Sequence, residues 1–142
     1  MRPPDQPLLD KLAPYPGAVQ RAALEARATL LTHAPTCWEL LYSTRVVSTA
    51  FSLTPELRDG FCHVAVYSHH VNLGFNRGAE LSDPEHWLQG TGKVIRHVRL
   101  DKSLERLRDP YLATLIEAAL DRAHQRLGER GGVPVEGSLL VK

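Results

Sequence analysis

The sequence predicts an α+β fold: a two-layer sandwich in which a five-stranded antiparallel meander sheet is flanked by N- and C-terminal helices on one face. Two observations carry this. Long stretches with apolar residues at helical spacing stand near both ends of the chain, and five short β-type runs with brief connections lie between them. Amphipathic helices need an apolar surface to cover, and an antiparallel meander supplies one while leaving its other face open.

Residues 1–16 contain five prolines and form a Pro-rich lead segment, with a helical turn expected from Pro7 to Leu12. The single domain spans 17–128. Its first helix, "GAVQRAALEARATLLTH" (17–33), places Val19, Ala22, Ala23, Ala26 and Leu30 on one side and Gln20, Arg21 and Arg27 on the other, and Pro35 stops it. "CWELLYS" (37–43) and "VVSTAFSL" (46–53) read as a hairpin, and Asp59-Gly60 favours a turn before the next run. "FCHVAVY" (61–67) and "VNLGFN" (71–76) make a second hairpin, and "VIRHVRL" (94–100) is the fifth strand.

Between strands four and five, Asp83 suits an N-cap, Pro84 a first helical position and Gly90 a stop, so "PEHWLQ" is expected as a helical turn. The last helix repeats the device with Asp109 and Pro110. Leu112, Leu115, Ile116, Ala119, Ala123 and Leu127 share one face, and Gly128 suits the end. The tail, 129–142, is expected to dock only through Leu139 to Val141.

With 142 residues the chain can bury a core without metal or disulfides. Hydrophobic residues make up 43%, charged residues 23%, and the net charge is +1, so nothing draws it toward nucleic acid or an anionic membrane. Cys37 and Cys62 sit in apolar runs and read as buried thiols, with no CxxC and no zinc spacing. No apolar run approaches 18 residues and the start lacks an apolar leader core, so a cytoplasmic location is expected.

Alternation along the strands sends Cys62, Val64, Val66, Val71, Leu73, Phe75, Val94, Val98 and Leu100 toward the helices. Phe61, His63, Ala65, Tyr67, Asn72, Asn76, Ile95, His97 and Arg99 then face outward, as do Ser48 and Ser52. Such a surface serves as a solvated sheet face, a homodimer interface, or a site for a ligand or protein partner. Arg96 is sent inward, and a buried guanidinium needs a partner: Glu39, Glu80 or Asp83. Beside the 77–93 insert it would instead become an anion ligand.

"QGTGKV" lacks the spacing of a phosphate loop and leads into a strand, so it reads as a hairpin-entry loop. Amides near Gly90, Thr91 and Gly92 could still form a small anion nest beside Lys93. Adjacent His69 and His70 point apart in a strand. Glu80, Asp83, Glu85 and His86 are the one local cluster of hard ligands. Ser43, Ser48, Ser52 and Cys62 are strand residues outside any GxSxG elbow, so no spacing supports catalysis.

"HVNLGFNRGAELSDP", "LQGTGKVIRHVRL" and "DPYLATLIEAAL", within residues 37–120, resemble the YdhG-like family of unknown function. The resemblance implies a frataxin-like α/β sandwich and, by analogy with frataxin, iron as a cargo or cofactor. Phe75, Arg77, Gly78, Glu80, Leu81, Asp83, Gly90, Gly92, Lys93 and Arg96 match its motif. A frataxin-type iron surface uses an acidic ridge on the first long helix; here that helix carries one acid, Glu25, against Arg21 and Arg27.

The functional expectation is a non-enzymatic domain that binds an anionic small molecule or a protein partner through Asn72, Asn76, Arg77, Lys93, Arg96 and His97. The alternative is iron or other metal handling through Glu80, Asp83, Glu85 and His86.

Overall fold

Among the described residues, prolines and short polar turns separate three α-helices and six strands. The computed structural model describes residues 1–101 and 103–142. The helices are α1 (Gln6–Leu12), α2 (Gly17–His33) and α3 (Pro110–Glu129). The strands are β1 (Trp38–Tyr42), β2 (Val47–Ser52), β3 (Gly60–Val66), β4 (Val71–Phe75), β5 (Arg96–Leu100) and β6 (Leu139–Val141). They form one sheet in the order β5-β4-β3-β2-β1-β6.

Five strands make the expected antiparallel meander, but the sheet is mixed because β6 adds to β1 in parallel, Leu140 opposite Leu40. The tail reaches that edge through anchors that periodicity does not reveal. Trp38 Nε1 donates to the Val135 carbonyl, Arg2 Nη1 to the Gly137 carbonyl, and the Lys142 amide to the Leu41 carbonyl.

The core lies between the sheet and helices α2 and α3. Leu30, Leu31, Leu112, Leu115 and Ile116 are fully buried against Phe51, Leu73 and Phe75. Asp109 caps α3 as expected, accepting from the Tyr111 amide. The helix runs one residue past Gly128, however, to Glu129, and beyond its cap at Arg130 stands Gly131, whose φ of 75° is the left-handed conformation that closes helices.

Three inside-outside expectations and one local-structure expectation are corrected. Phe61 turns to the helix side because the register steps from Phe51↔Cys62 to Ser52↔Gly60, leaving Phe61 as a bulge residue. Val94 is not in the core: β5 pairs with β4 only from Arg96 onward, and Val94 and Ile95 are 41% and 51% exposed. Arg27 is buried, not on the polar side of α2. Its guanidinium meets Glu39, also buried, with Nε–Oε1 2.5 Å and Nη2–Oε2 3.1 Å, and Arg2 adds a further bond to Glu39.

The fourth correction concerns the 84–89 segment, expected as a helical turn and found as a non-helical turn at residues 84–85. Asp83 does accept from the Trp87 and Leu88 amides, but His86 adopts φ 57° and breaks the helical run after one turn. Cys37 and Cys62 are buried free thiols, as expected. Burial chiefly pushes the Cys37 thiol up to about 12 and raises Cys62 well above the usual range.

Candidate functional site

Register rows cross the uncovered face of the sheet. One runs Leu40–Ala50–His63–Gly74–His97 and the next Tyr42–Ser48–Ala65–Asn72–Arg99. Ser48, Ala50 and Gly60 are small, so the surface dips along β2 and β3. Loops on either side rise above it: Leu57 and Arg58 before β3, and Arg77, Val94 and Ile95 around the start of β5. The result is a groove of about 410 Å³, completed by Tyr42, His63 and Asn76. Its volume falls in the range of small-molecule sites.

Two close approaches set its inner wall. The imidazole of His63 lies over Gly74, where a Cβ would stand 2.0 Å from Nε2. Asn76 Nδ2 lies 2.7 Å from the place a Cβ on Gly60 would take. His63 Nδ1 donates to Asn76 Oδ1 at 2.8 Å, which leaves the lone pair on Nε2. Burial lowers the His63 pKa, opposed by the Asn76 bond and aided by nearby His97, so the ring is neutral at pH 7.

The charged residues lining the groove are Arg58 and Arg77; no carboxylate lines it among the described residues. Each arginine has an acidic partner outside the groove, Glu56 exposed and Glu80 half-buried. Arg58 meets Glu56 at 3.2 Å, and Arg77 meets Glu80 through Nε at 2.7 Å and Nη2 at 2.6 Å. Glu80 also faces Arg122 at 3.6 Å and Arg126 at 3.9 Å. The hydrogen bond from Arg77 is the main reason its carboxyl is held below the usual range.

Of the residues expected to bind a ligand, Asn76 and Arg77 line this groove and Lys93 is exposed on the loop beside Val94. Arg96 is not there. It is half-buried, and Nη1 donates to the Gly92 and Ile95 carbonyls at 2.5 and 2.8 Å. The ion pair expected for it is not formed: Glu39 holds Arg27 and Arg2, Glu80 holds Arg77, and Asp83 accepts from the Tyr111 hydroxyl at 2.5 Å. Its stem instead packs on Gly78, where a Cβ would come within 2.5 Å of the Arg96 Cβ.

Asn72 and His97 share the open face but sit outside the groove. Asn72 lies between Ala65 and Arg99, its buried Oδ1 without a hydrogen-bond partner. His97 pairs with Gln89 by two backbone bonds, 2.8 and 2.9 Å, that close the Gly90–Arg96 loop. This bears out the hairpin-entry reading of "QGTGKV". Glu80, Asp83, Glu85 and His86 do not converge, and no group of three His, Cys, Asp or Glu suited to a metal occurs among the described residues.

Sequence reasoning did not select Tyr42, Ser48, Ala50, Leu57, Arg58, Gly60 or His63 as site residues. A signal for part of them exists: Ser48, Ala50 and Ser52 are a run of small outward positions in one strand, the composition of a concave floor. No helix among the described residues is long and apolar enough to cross a membrane. Comparison with protein families, curated proteins and solved structures finds nothing that matches this chain.

Proposed function

We propose that this protein is a small binding domain whose ligand is an organic anion with an apolar body, held in the groove on the open face of the sheet. One observation carries the reading: a mainly apolar groove whose charged lining residues are both arginines. Apolar surface supplies affinity by burial, and guanidiniums whose carboxylate partners lie outside the groove select negative charge within it. Neither arginine is locked away, because exposed ion pairs of this kind contribute only about 0–1 kcal/mol and exchange readily.

The YdhG-like resemblance is proposed on its motif residues alone. The order of one long helix, five antiparallel strands and a second long helix supports a frataxin-like arrangement, with β6 lying outside that order. Metal handling is the weaker proposal, since Glu80 and Asp83 already serve arginines, backbone amides and a tyrosine.

Amide chemical-shift mapping with benzoate and benzamidine, ring-matched and opposite in charge, tests the groove. Benzoate is expected to shift the amides of Ala50, Gly60, His63, Asn76 and Ile95, and benzamidine to leave them in place. Equal responses to both, or none to either, would refute the reading.

A further inference from the structure

The groove is polar along its length in the electrostatic sense. Gly60 and Asn76 touch, so the segments just beyond them, Arg58 in the turn before β3 and Arg77 in the turn after β4, meet at the same end of the sheet. Ile95 and Val94 precede Arg96, which pairs with Phe75, so they belong to that end too, with exposed Lys93 beside them. The opposite end is closed by Tyr42 and Ser48, directly paired and uncharged. From Ser52, opposite Gly60, to Ser48 is four residues of strand, or about 13 Å at about 3.3 Å per residue.

We infer that the ligand is a carboxylate on an extended aliphatic chain, with its head between Arg58 and Arg77 and its chain running over Ala50 toward Tyr42. This rests on the anion-binding reading and goes further by naming the class and the direction. Two guanidiniums and the Asn76 amide supply the planar, multi-donor surface that a carboxylate accepts from. Leu57, Val94 and Ile95, 48%, 41% and 51% exposed, stand around the charged end and cover the first part of a chain. The floor beyond is Ala50 and Ser48, too small to obstruct it. At the head end Arg58, Arg77 and Lys93 carry three positive charges against the two negative charges of Glu56 and Glu80, which favours a single negative group there, and the uncharged far end offers no partner for a second.

The test is calorimetric titration of the full chain with octanoate, acetate, octylamine and benzoate. Octanoate is expected to bind at least about tenfold more tightly than acetate and octylamine. Arg58→Gln and Arg77→Gln, both at exposed side chains, are each expected to weaken octanoate while leaving thermal stability unchanged. An aliphatic carboxylate carrying a nitroxide at its far end is expected to broaden the Tyr42 and Ser48 amides more strongly than those of Gly60 and Asn76. Benzoate binding without a gain for octanoate overturns the chain inference and leaves the anion reading standing. Stronger broadening at Gly60 and Asn76 than at Tyr42 and Ser48 overturns the direction. Failure of every anion defeats both readings.

Discussion

The imidazole of His63 occupies the space that a side chain at Gly74 would take, with Nε2 2.0 Å from the position of the missing Cβ. The two residues are direct partners across β3 and β4. This pairing keeps the ring down on the sheet, lets Nδ1 reach Asn76, and leaves the groove above it open.

Gly74→Ala is therefore expected to destabilise the fold by about 1–3 kcal/mol, the usual cost of forcing atoms into a packed site. It is also expected to abolish the His63–Asn76 bond, visible as a shift in the His63 Nδ1 resonance. Gly17→Ala serves as the contrast, because nothing lies within 4 Å of a Cβ there and the position opens a helix. That variant should match or slightly exceed the parent stability. Similar denaturation midpoints for the two variants would remove the steric argument.

Much of the fold was legible because periodicity is a strong signal where one face is buried. The extent of α2, the five-strand meander and the Asp109 cap all follow from it. What escaped depends on contacts between distant residues. Arg27 looked solvent-facing because its partner, Glu39, lies on a strand whose alternation hides one carboxylate at the edge of the core. Phe61 changed sides through a bulge that no spacing rule announces, and β6 is held by Trp38 and Arg2, both far from it in sequence. The site was half seen: the outward set included His63 and Asn76, but the concavity arises from Ser48, Ala50 and Gly60, whose small size carries no chemical motif.

The Arg27–Glu39 pair yields a second prediction. Both side chains are almost wholly buried, so Glu39→Ala leaves a guanidinium without its carboxylate and is expected to cost about 3–5 kcal/mol. Replacing the pair together, Arg27→Met with Glu39→Leu, should recover most of that loss, because desolvation of two charges is then no longer required. Urea unfolding of the three proteins checks this. A double variant as unstable as Glu39→Ala would show that the charges themselves hold α2 to β1.

Acid is expected to weaken the fold through the open face. Burial lowers the pKa of His63 and His97, while burial together with Arg99, His97 and His69 lowers that of His70. Folding thus disfavours protons on these rings, and the unfolded chain binds more of them below about pH 6.5. Stability is full above that pH and falls as pH drops through the depressed folded-state values. The urea midpoint should accordingly be lower at pH 5.5 than at pH 7.5, and His63→Gln should reduce the difference. A midpoint that does not change between these pH values would count against any such coupling.

Glu80 competes with the proposed ligand for Arg77, and this competition has a measurable sign. Its carboxylate takes both Nε and Nη2 of Arg77 while Arg122 and Arg126 face its other oxygen. A partly exposed pair of this kind contributes about 0–1 kcal/mol, so releasing Arg77 can strengthen anion binding by about fivefold. Glu80→Gln is expected to raise octanoate affinity by up to that factor, and Arg77→Gln to erase the gain when combined with it. Were Glu80 instead needed to aim the guanidinium, the single variant would bind octanoate more weakly than the parent. The direction of that one change therefore separates a competing carboxylate from a positioning one.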